Sequence, residues 1–562
     1  MDPMNTCFVL ILPDELWVKI FQCFHPVYED LFAIACVCKK WRNLIITNPD
    51  PQLWDRVEIR NITRCYLDSA FLRRFNCVLR SMGKHIRVLK MHHCNYYFMD
   101  VLLRNCRNLD SLQEIEVTGM AWNGNLIEEL RFCSKTLSSI NLEACKFKGD
   151  ALGTFTKTHL DTLVDNFKEL KKLGLRYTRF DNQTLTFLQD LLQSPHNVRI
   201  THLSVERSQV GPFELNEIVS GFLCLEEFSY GNDQIYGIPS TQLLTLSSTS
   251  LREVKLYQVG DFKHLALNLP GLYKVTIDAS TSFQSIEINS PSLRILDITR
   301  CFELRKFKGI LPSCLRKLRI LDCPAFPFNK ILCLLTQNPD IKILDIQPKT
   351  PSFRLDQFSC PSVECLTLLD NGEGLLTMDV SCPKLSSFTL KSIRRTSQAK
   401  SITLTTGFLE KFVLQEVVAL RNVILNVNSV KYFEIDFARR IDQMKPKCYT
   451  QIFNRNLTIH RLCVKRCNLE SVNLKDCKVK QVFLKNCNLG ISMSQFLGSC
   501  SGLESLSLYN CYGPCRLSLA NDSLKSLNLS SSHTIMETLH KMPKPERADS
   551  QWHDFTSQSK RD

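Results

Sequence analysis

Nothing in these 562 residues is suited to spanning a bilayer with a helix: no apolar run approaches the ~18 residues such a helix requires. A secretory leader is not expected, because Met1-Asp2-Pro3 carries no basic flank and the apolar stretch 7–12 is too short for a signal core. The phosphate-cradling G-x-x-x-x-G-K-[ST] loop, the G-x-S-x-G elbow and the H-E-x-x-H helix are all missing, so catalysis by this chain is not expected. Cys511 and Cys515 have no second pair at zinc-site spacing, and His92-His93-Cys94 reads as the exposed end of a strand, so no metal or cofactor is expected. No run of Lys or Arg exceeds two residues and no aromatic platform for single strands stands out, so the formal charge of +14 does not point to nucleic acid. These absences predict a chain of the cytosol or nucleus, not bound to a membrane, whose 26 cysteines are reduced thiols.

What is present is a repeat. The chain exceeds a single compact core, so several regions or an extended array are expected. A triplet L-x-x-L-x-L, with Ile, Val, Phe, Tyr or Met in place of Leu, runs from Ile86-Leu89-Met91 to Leu524-Leu527-Leu529. Such a pattern at periods of about 20–29 residues signals leucine-rich repeats, in which each unit adds a short strand and stacking supplies the core. Cysteine often follows the triplet, at Cys94, Cys145, Cys301, Cys323, Cys467, Cys477, Cys487 and Cys511. A recurring position implies a recurring structural slot, filled by a small buried apolar side chain.

The spacing changes along the chain. From 86 to 256 the gaps hold helical stretches at 126–132, 160–167, 185–192 and 215–222. From about 272 to 484 further triplets fall halfway, among them Phe283-Ile286-Ile288, Leu420-Val423-Leu425 and Leu469-Val472-Leu474, and the interval drops to 10 or 11 residues. Ten residues at ~3.3–3.6 Å each cannot run out and back across sheets ~10 Å apart. Each short unit is therefore half a rung, and the centre should carry strands on both faces, with helix only near 328–336 and again near 491–497. An amphipathic helix over 66–82, ended by Gly83, is expected to cap the first repeat. From about 534 the triplet is gone, and the polar, Pro- and Lys-containing segment reads as disordered.

The first fifty-odd residues differ in kind. Pro13 and Asp14 suit a helix start, and Leu16 and Ile20 then share a face beside Trp17 and Phe21. A second helix carries Leu31, Ile34, Ala35 and Cys38, and a third, 39–46, carries Trp41, Leu44 and Ile45 before Asn48-Pro49-Asp50-Pro51 stops it. The order LPDEL (12–16), IF (20–21), DL (30–31), VCKKW (37–41) and DPQLW (50–54) makes residues 8–55 resemble an F-box, with a loop at 25–30 longer than the usual pattern. The trailing cysteines make the repeats resemble those of F-box/leucine-rich-repeat proteins.

That resemblance implies an α/β fold: a three-helix F-box at 8–55, a linker and capping helix at 56–84, a curved solenoid of parallel strands at 85–533 and a tail at 534–562. Helix-containing repeats would come first, strand-rich half-rungs in the centre. It implies a non-catalytic substrate receptor of a Skp–cullin–F-box ubiquitin ligase. Leu12, Pro13, Glu15, Ile20, Phe21, Leu31, Val37, Trp41, Leu53 and Trp54 would make or support the interface with the Skp adaptor, through which the cullin and RING subunits join. A scaffold without ubiquitin transfer, or a small-molecule or polyphosphate sensor of the same architecture, stays open.

For a protein substrate the candidates are residues between the triplet positions, which face away from the core because strand side chains alternate. Arg176, Tyr177, Tyr257, Arg300, Arg319 and Tyr509 lie on or beside such positions and are of types enriched in binding hot spots. Lys465, Lys475 and Lys485 follow successive triplets; half-rungs would place Lys465 and Lys485 on one face and Lys475 on the other.

Overall fold

Strand follows strand at the triplet positions, always parallel, in a computed structural model that describes residues 12–24, 27, 31–47, 49–60, 69–123, 126–143, 146–148, 157–176, 191–193, 199–206, 212–231, 243–260, 262–308, 312–327, 335, 338–347, 355–370, 377–392, 399–417, 420, 422–436, 450–453, 457–467, 472–473, 477–489, 500, 502–512 and 523–530. The chain divides into two units: residues 1–292 with 308–310, and residues 293–307 with 311–562.

The first unit opens with four short helices, α1 (Asp14–Gln22), α2 (Leu31–Ala35), α3 (Lys39–Arg42) and α4 (Pro51–Trp54). Helix α3 runs on into a wider turn, Asn43–Thr47, in place of a single helix over 39–46. The fourth helix begins at residues expected only to end the third. Asp50 accepts a hydrogen bond from the Gln52 N–H at 2.9 Å and Pro51 occupies the first turn, so the residues that stop one helix also cap the next.

The stack of strands begins directly after α4. Arg56–Arg60 pairs with Val88–His92, which pairs with Glu114–Thr118, with Val57, Leu89 and Ile115 in register. The linker expected from 56 therefore needs correcting: its first residues are a rung, buried at Val57 and Ile59. They escaped notice because R-V-E-I-R alternates only twice and lacks the leading leucine of the triplet. The same register continues through Ile140, Leu173, Leu203, Phe228, Val254 and Val275.

Helices return the chain in this unit. The capping helix is Ser69–Met82, burying Phe71, Phe75, Val78, Leu79 and Met82. Phe71 and Phe75 pack on Phe98 of the next helix, Tyr96–Asn105, with ring centroids 5.5 and 5.6 Å apart. Gly83 does follow the helix, for a packing reason: a Cβ there would sit 2.6 Å from the Asn108 carbonyl oxygen. Helices Leu126–Glu129, Lys157–Asn166 and Pro212–Gly221 fall at or overlap the expected places, while most of 185–192 lies outside the described residues. From Leu243 the return is a strand instead: Leu243–Ser247, His264–Asn268 and Ser285–Asn289 form a second parallel sheet.

In the second unit the half-rung pattern is regular. Strands Ser387–Ser392, Leu409–Gln415, Ser429–Asp436, Thr458–Lys465 and Lys478–Lys485 are neighbours in one sheet. Between them in sequence, Ser401–Thr405, Asn422–Asn426, Thr450–Phe453 and Val472–Asn473 are neighbours in another. No described residue of 400–484 is helical. The expected helices at 328–336 and 491–497, and the tail from 534, lie outside the described residues, apart from Leu335. Between the sheets, Phe388, Phe412 and Phe433 stack in register, with centroids 5.4 and 4.9 Å apart and ring planes 15° and 8° from parallel.

The cysteine slot has a definite geometry. One residue after many strands of the long sheet the backbone turns into the left-handed region: His93, Gln258, Ala279, Arg300, Asp322, Glu416, Arg466, Asn486 and Asn510 have φ between 49° and 60°. The N–H of His93, Arg300, Arg466 and Asn486 then donates to the carbonyl ending the next strand, at 2.7, 2.9, 2.8 and 2.9 Å. Those bonds offset the cost of positive φ in non-glycine residues. The residue after the turn points inward and is Cys94, Cys301, Cys323, Cys467, Cys487 or Cys511, with Val259, Ser280 and Val417 at the same place after other turns. The thiols of Cys301, Cys323, Cys487 and Cys511 donate back to the carbonyls of Thr299, Leu321, Lys485 and Tyr509 at 3.5, 3.2, 3.4 and 3.6 Å. A donor is thus useful there as well as small size, and Ser280 fills the same slot, donating to the Asp278 carbonyl at 3.4 Å.

Candidate functional site

The helices before the stack hold a closed core. Trp17 and Phe21 of α1 lie 4.7 and 5.4 Å from Trp41 of α3, centroid to centroid. Trp54 is fully buried, 5.6 Å from Phe32, and its indole N–H donates to the Ile45 carbonyl at 3.0 Å. The Lys40 ammonium ties the two ends of the layer, 3.0 Å from Asp14 and 2.9 Å from the Leu12 carbonyl oxygen. Cys38 caps α3, its sulfur accepting from the Trp41 N–H at 3.4 Å.

Around that core an apolar surface is left uncovered. Leu16, Ile20 and Phe24, four residues apart along and just past α1, are 42%, 38% and 37% exposed, and Val37 at the head of α3 is 62% exposed. Pro13 and Glu15 are exposed beside them, and Glu15 has no ion-pair partner among the described residues. A helix that keeps its i, i+4 stripe in water while its opposite side is sealed presents a face for another protein.

Each unit also presents outward-facing strand residues. In the first, the Arg176 guanidinium lies over the Tyr257 ring at 4.8 Å and 3.6 Å from Glu143. In the second, Arg319 stands in register between Asp297 and Asp345 and reaches them at 3.4 and 3.9 Å, which occupies its charge. Arg300 is exposed at a left-handed turn position. Lys465, Lys485 and Tyr509 sit side by side on three adjacent strands. The Lys465 ammonium binds the Glu434 carboxylate at 2.6 Å, the other Glu434 oxygen accepts from the Tyr432 hydroxyl at 2.6 Å, and Arg466 grips Asp436 through two bonds of 2.8 and 2.7 Å.

Burial alone would raise the Glu434 carboxyl, but the hydrogen bonds from Lys465 and Tyr432 outweigh it and hold the group below its ordinary range. The sign follows: a lowered folded value stabilises fully above the ordinary carboxylate pKa of ~4.3 and is lost as pH falls through the folded value. Glu434→Gln should therefore flatten the acid limb of the urea midpoint measured against pH. An acid limb as steep as the parent's would refute that role.

Residues 9–60 match the F-box-like domain family. No curated protein matches the chain. Among solved structures, a chain of the "TLR13-ssRNA13 complex" aligns with 80% of this chain and 88% of its own length at 12% identity, with a TM-score of 0.25, a likeness too slight to carry argument.

Within the F-box-like module the ten candidate residues divide by depth. Pro13, Glu15, Ile20 and Val37 reach solvent, and Leu12 and Trp41 are half-buried. Phe21, Leu31, Leu53 and Trp54 lie within the matched residues and are at most 5% exposed. They support the face from beneath, because a unit this small needs its largest side chains for its own core. Leu16 and Phe24 belong to the face and were missing from the candidate set; the four-residue spacing with Ile20 was the available signal. On the long sheet the structure joins Arg176 to Tyr257, and Lys485 to Tyr509, whose ring lies 5.1 Å from the ammonium. Arg319 keeps its place on the sheet but is paired with Asp297 and Asp345. Tyr177 and Lys475 lie outside the described residues.

Proposed function

We propose that this chain is the substrate-recognition subunit of a Skp–cullin–F-box ubiquitin ligase, non-catalytic and resident in the cytosol or nucleus. The observation that carries this reading is the exposed stripe Leu16, Ile20 and Phe24, with Val37 also exposed, on a helical module that matches the F-box-like family. The stripe would dock the Skp adaptor, which brings the cullin and its RING subunit. The solvent face of the long sheet would hold a protein substrate. The chain's physical contribution is effective concentration: a substrate lysine held near a charged conjugating enzyme reacts as though intramolecularly.

The test is co-purification of full-length chain with adaptor and cullin from cells under proteasome block. Recovery of both, with ubiquitinated proteins enriched relative to a docking-face variant, is the expected result. Adaptor without cullin would instead identify a scaffold, and recovery of neither would end the proposal.

A further inference from the structure

The cations on the solvent face of the second unit are not evenly matched. Outward positions run in register across the strands: Lys411, Tyr432 and Arg461 form one row, and Asp436, Lys465, Lys485 and Tyr509 another. Of the carboxylates in this stretch Glu434 and Asp436 are taken, while Glu410 stands exposed beside Lys411. Glu434 accepts from Lys465 and Tyr432, and Asp436 holds Arg466 through both oxygens. Arg461 and Lys485 have no ion-pair partner among the described residues, whereas Lys411 acts on the Glu434 carboxylate and stands beside Glu410. Arg461 lies 6.0 Å from the Tyr432 ring centre and Lys485 lies 5.1 Å from that of Tyr509, so both are held against aromatic faces.

Between the rows the outward residues are apolar or already neutralised: Val413, Glu434, Cys463 and Phe483, with Val413 8% and Cys463 3% exposed. The result is a dry strip flanked by fixed positive charge, with Tyr509 44% exposed at its edge. Neighbouring strands are ~4.8 Å apart, so Lys465, Lys485 and Tyr509 follow one another at that spacing within their row.

We propose that this strip, bounded by Arg461, Lys485 and Tyr509, docks an extended acidic segment of a partner protein, its carboxylates or phosphates against the cations and its apolar side chains on Phe483 and the exposed Tyr509 ring. This rests on the reading of the chain as a substrate receptor and names the chemistry of what it receives. Charge complementarity selects the occupant: Glu434 and Asp436 are already bonded, so an acidic ligand meets Arg461 and Lys485, which have no ion-pair partner among the described residues.

The experiment measures fluorescence anisotropy of a labelled peptide alternating glutamate with leucine against the full-length chain bound to its adaptor. A lysine-for-glutamate version of the peptide and a single-stranded RNA serve as comparisons. The glutamate peptide should bind and should weaken as salt rises. Arg461→Glu with Lys485→Glu should weaken it at least about tenfold and let the lysine peptide bind instead. Arg461→Gln with Lys485→Gln, checked for an unchanged melting point, should show an intermediate loss. No binding by the parent chain, equal binding by the reversed variant, or tighter binding of the RNA would overturn the inference while adaptor capture stayed intact. Loss of adaptor capture with peptide binding retained would fail the receptor reading instead.

Discussion

Leu16→Asp combined with Ile20→Asp will reduce adaptor capture to background while leaving the chain folded. Both side chains are more than a third exposed, so in the free chain they bury little, and surface changes of this kind usually fall within about 0.5 kcal/mol of neutral. At a docked interface they become desolvated apolar anchors, and each such anchor is worth about 2 kcal/mol or more. Together they predict a loss of at least about a thousandfold in affinity, since every 1.4 kcal/mol is about tenfold. The check is calorimetric titration of recombinant adaptor into parent and variant, beside thermal melts of both. Phe21→Ala provides the contrast. Phe21 is 1% exposed between Trp17 and Trp41, so its loss should lower the melting point as well as binding. A double aspartate variant that still captures adaptor like the parent would refute the docking face.

Phe412→Ala should be the most damaging single substitution in the strand-rich stretch. Phe412 is fully buried and stacks on Phe388 below and Phe433 above, so one truncation empties a layer and removes two ring contacts. Phe→Ala in a packed core costs about 3–5 kcal/mol, a large share of the 5–15 kcal/mol by which a typical protein is stable. Because each rung touches only its neighbours, the damage should be local in origin. Hydrogen exchange should quicken first in Ser387–Ser392 and Ser429–Asp436, together with a lower urea midpoint. Phe412→Leu, which keeps most of the volume, should lose far less. Unchanged exchange in the flanking strands would show that the stack is not what holds these rungs.

Much of this architecture could be read in advance because its signals are local and repeated. The triplet marks each strand wherever both of its inward positions are apolar, and the 10- or 11-residue interval excluded helical returns on length alone. The same logic failed at Arg56–Arg60, where two inward residues, Val57 and Ile59, suffice because α4 precedes them and Val88–His92 pairs with them. Cysteine recurrence was visible in the chain as a slot. Its cause, a left-handed residue followed by a thiol that donates to a strand carbonyl, required backbone angles.

By itself, then, the order of residues determined the kinds of element and their succession: short helices, strands with helical returns, strands with strand returns. Each follows from apolar spacing and chain length within a few dozen residues. Tertiary structure alone decided which side chains are free. Phe21 and Ile20 are adjacent and both apolar, yet one is sealed by Trp41 and the other faces water. Lys465 and Lys485 occupy the same repeat position, yet Glu434 neutralises one while the other meets the Tyr509 ring and has no ion-pair partner among the described residues. Exposure and ion pairing depend on residues distant in the chain, and neither periodicity nor composition carries that information.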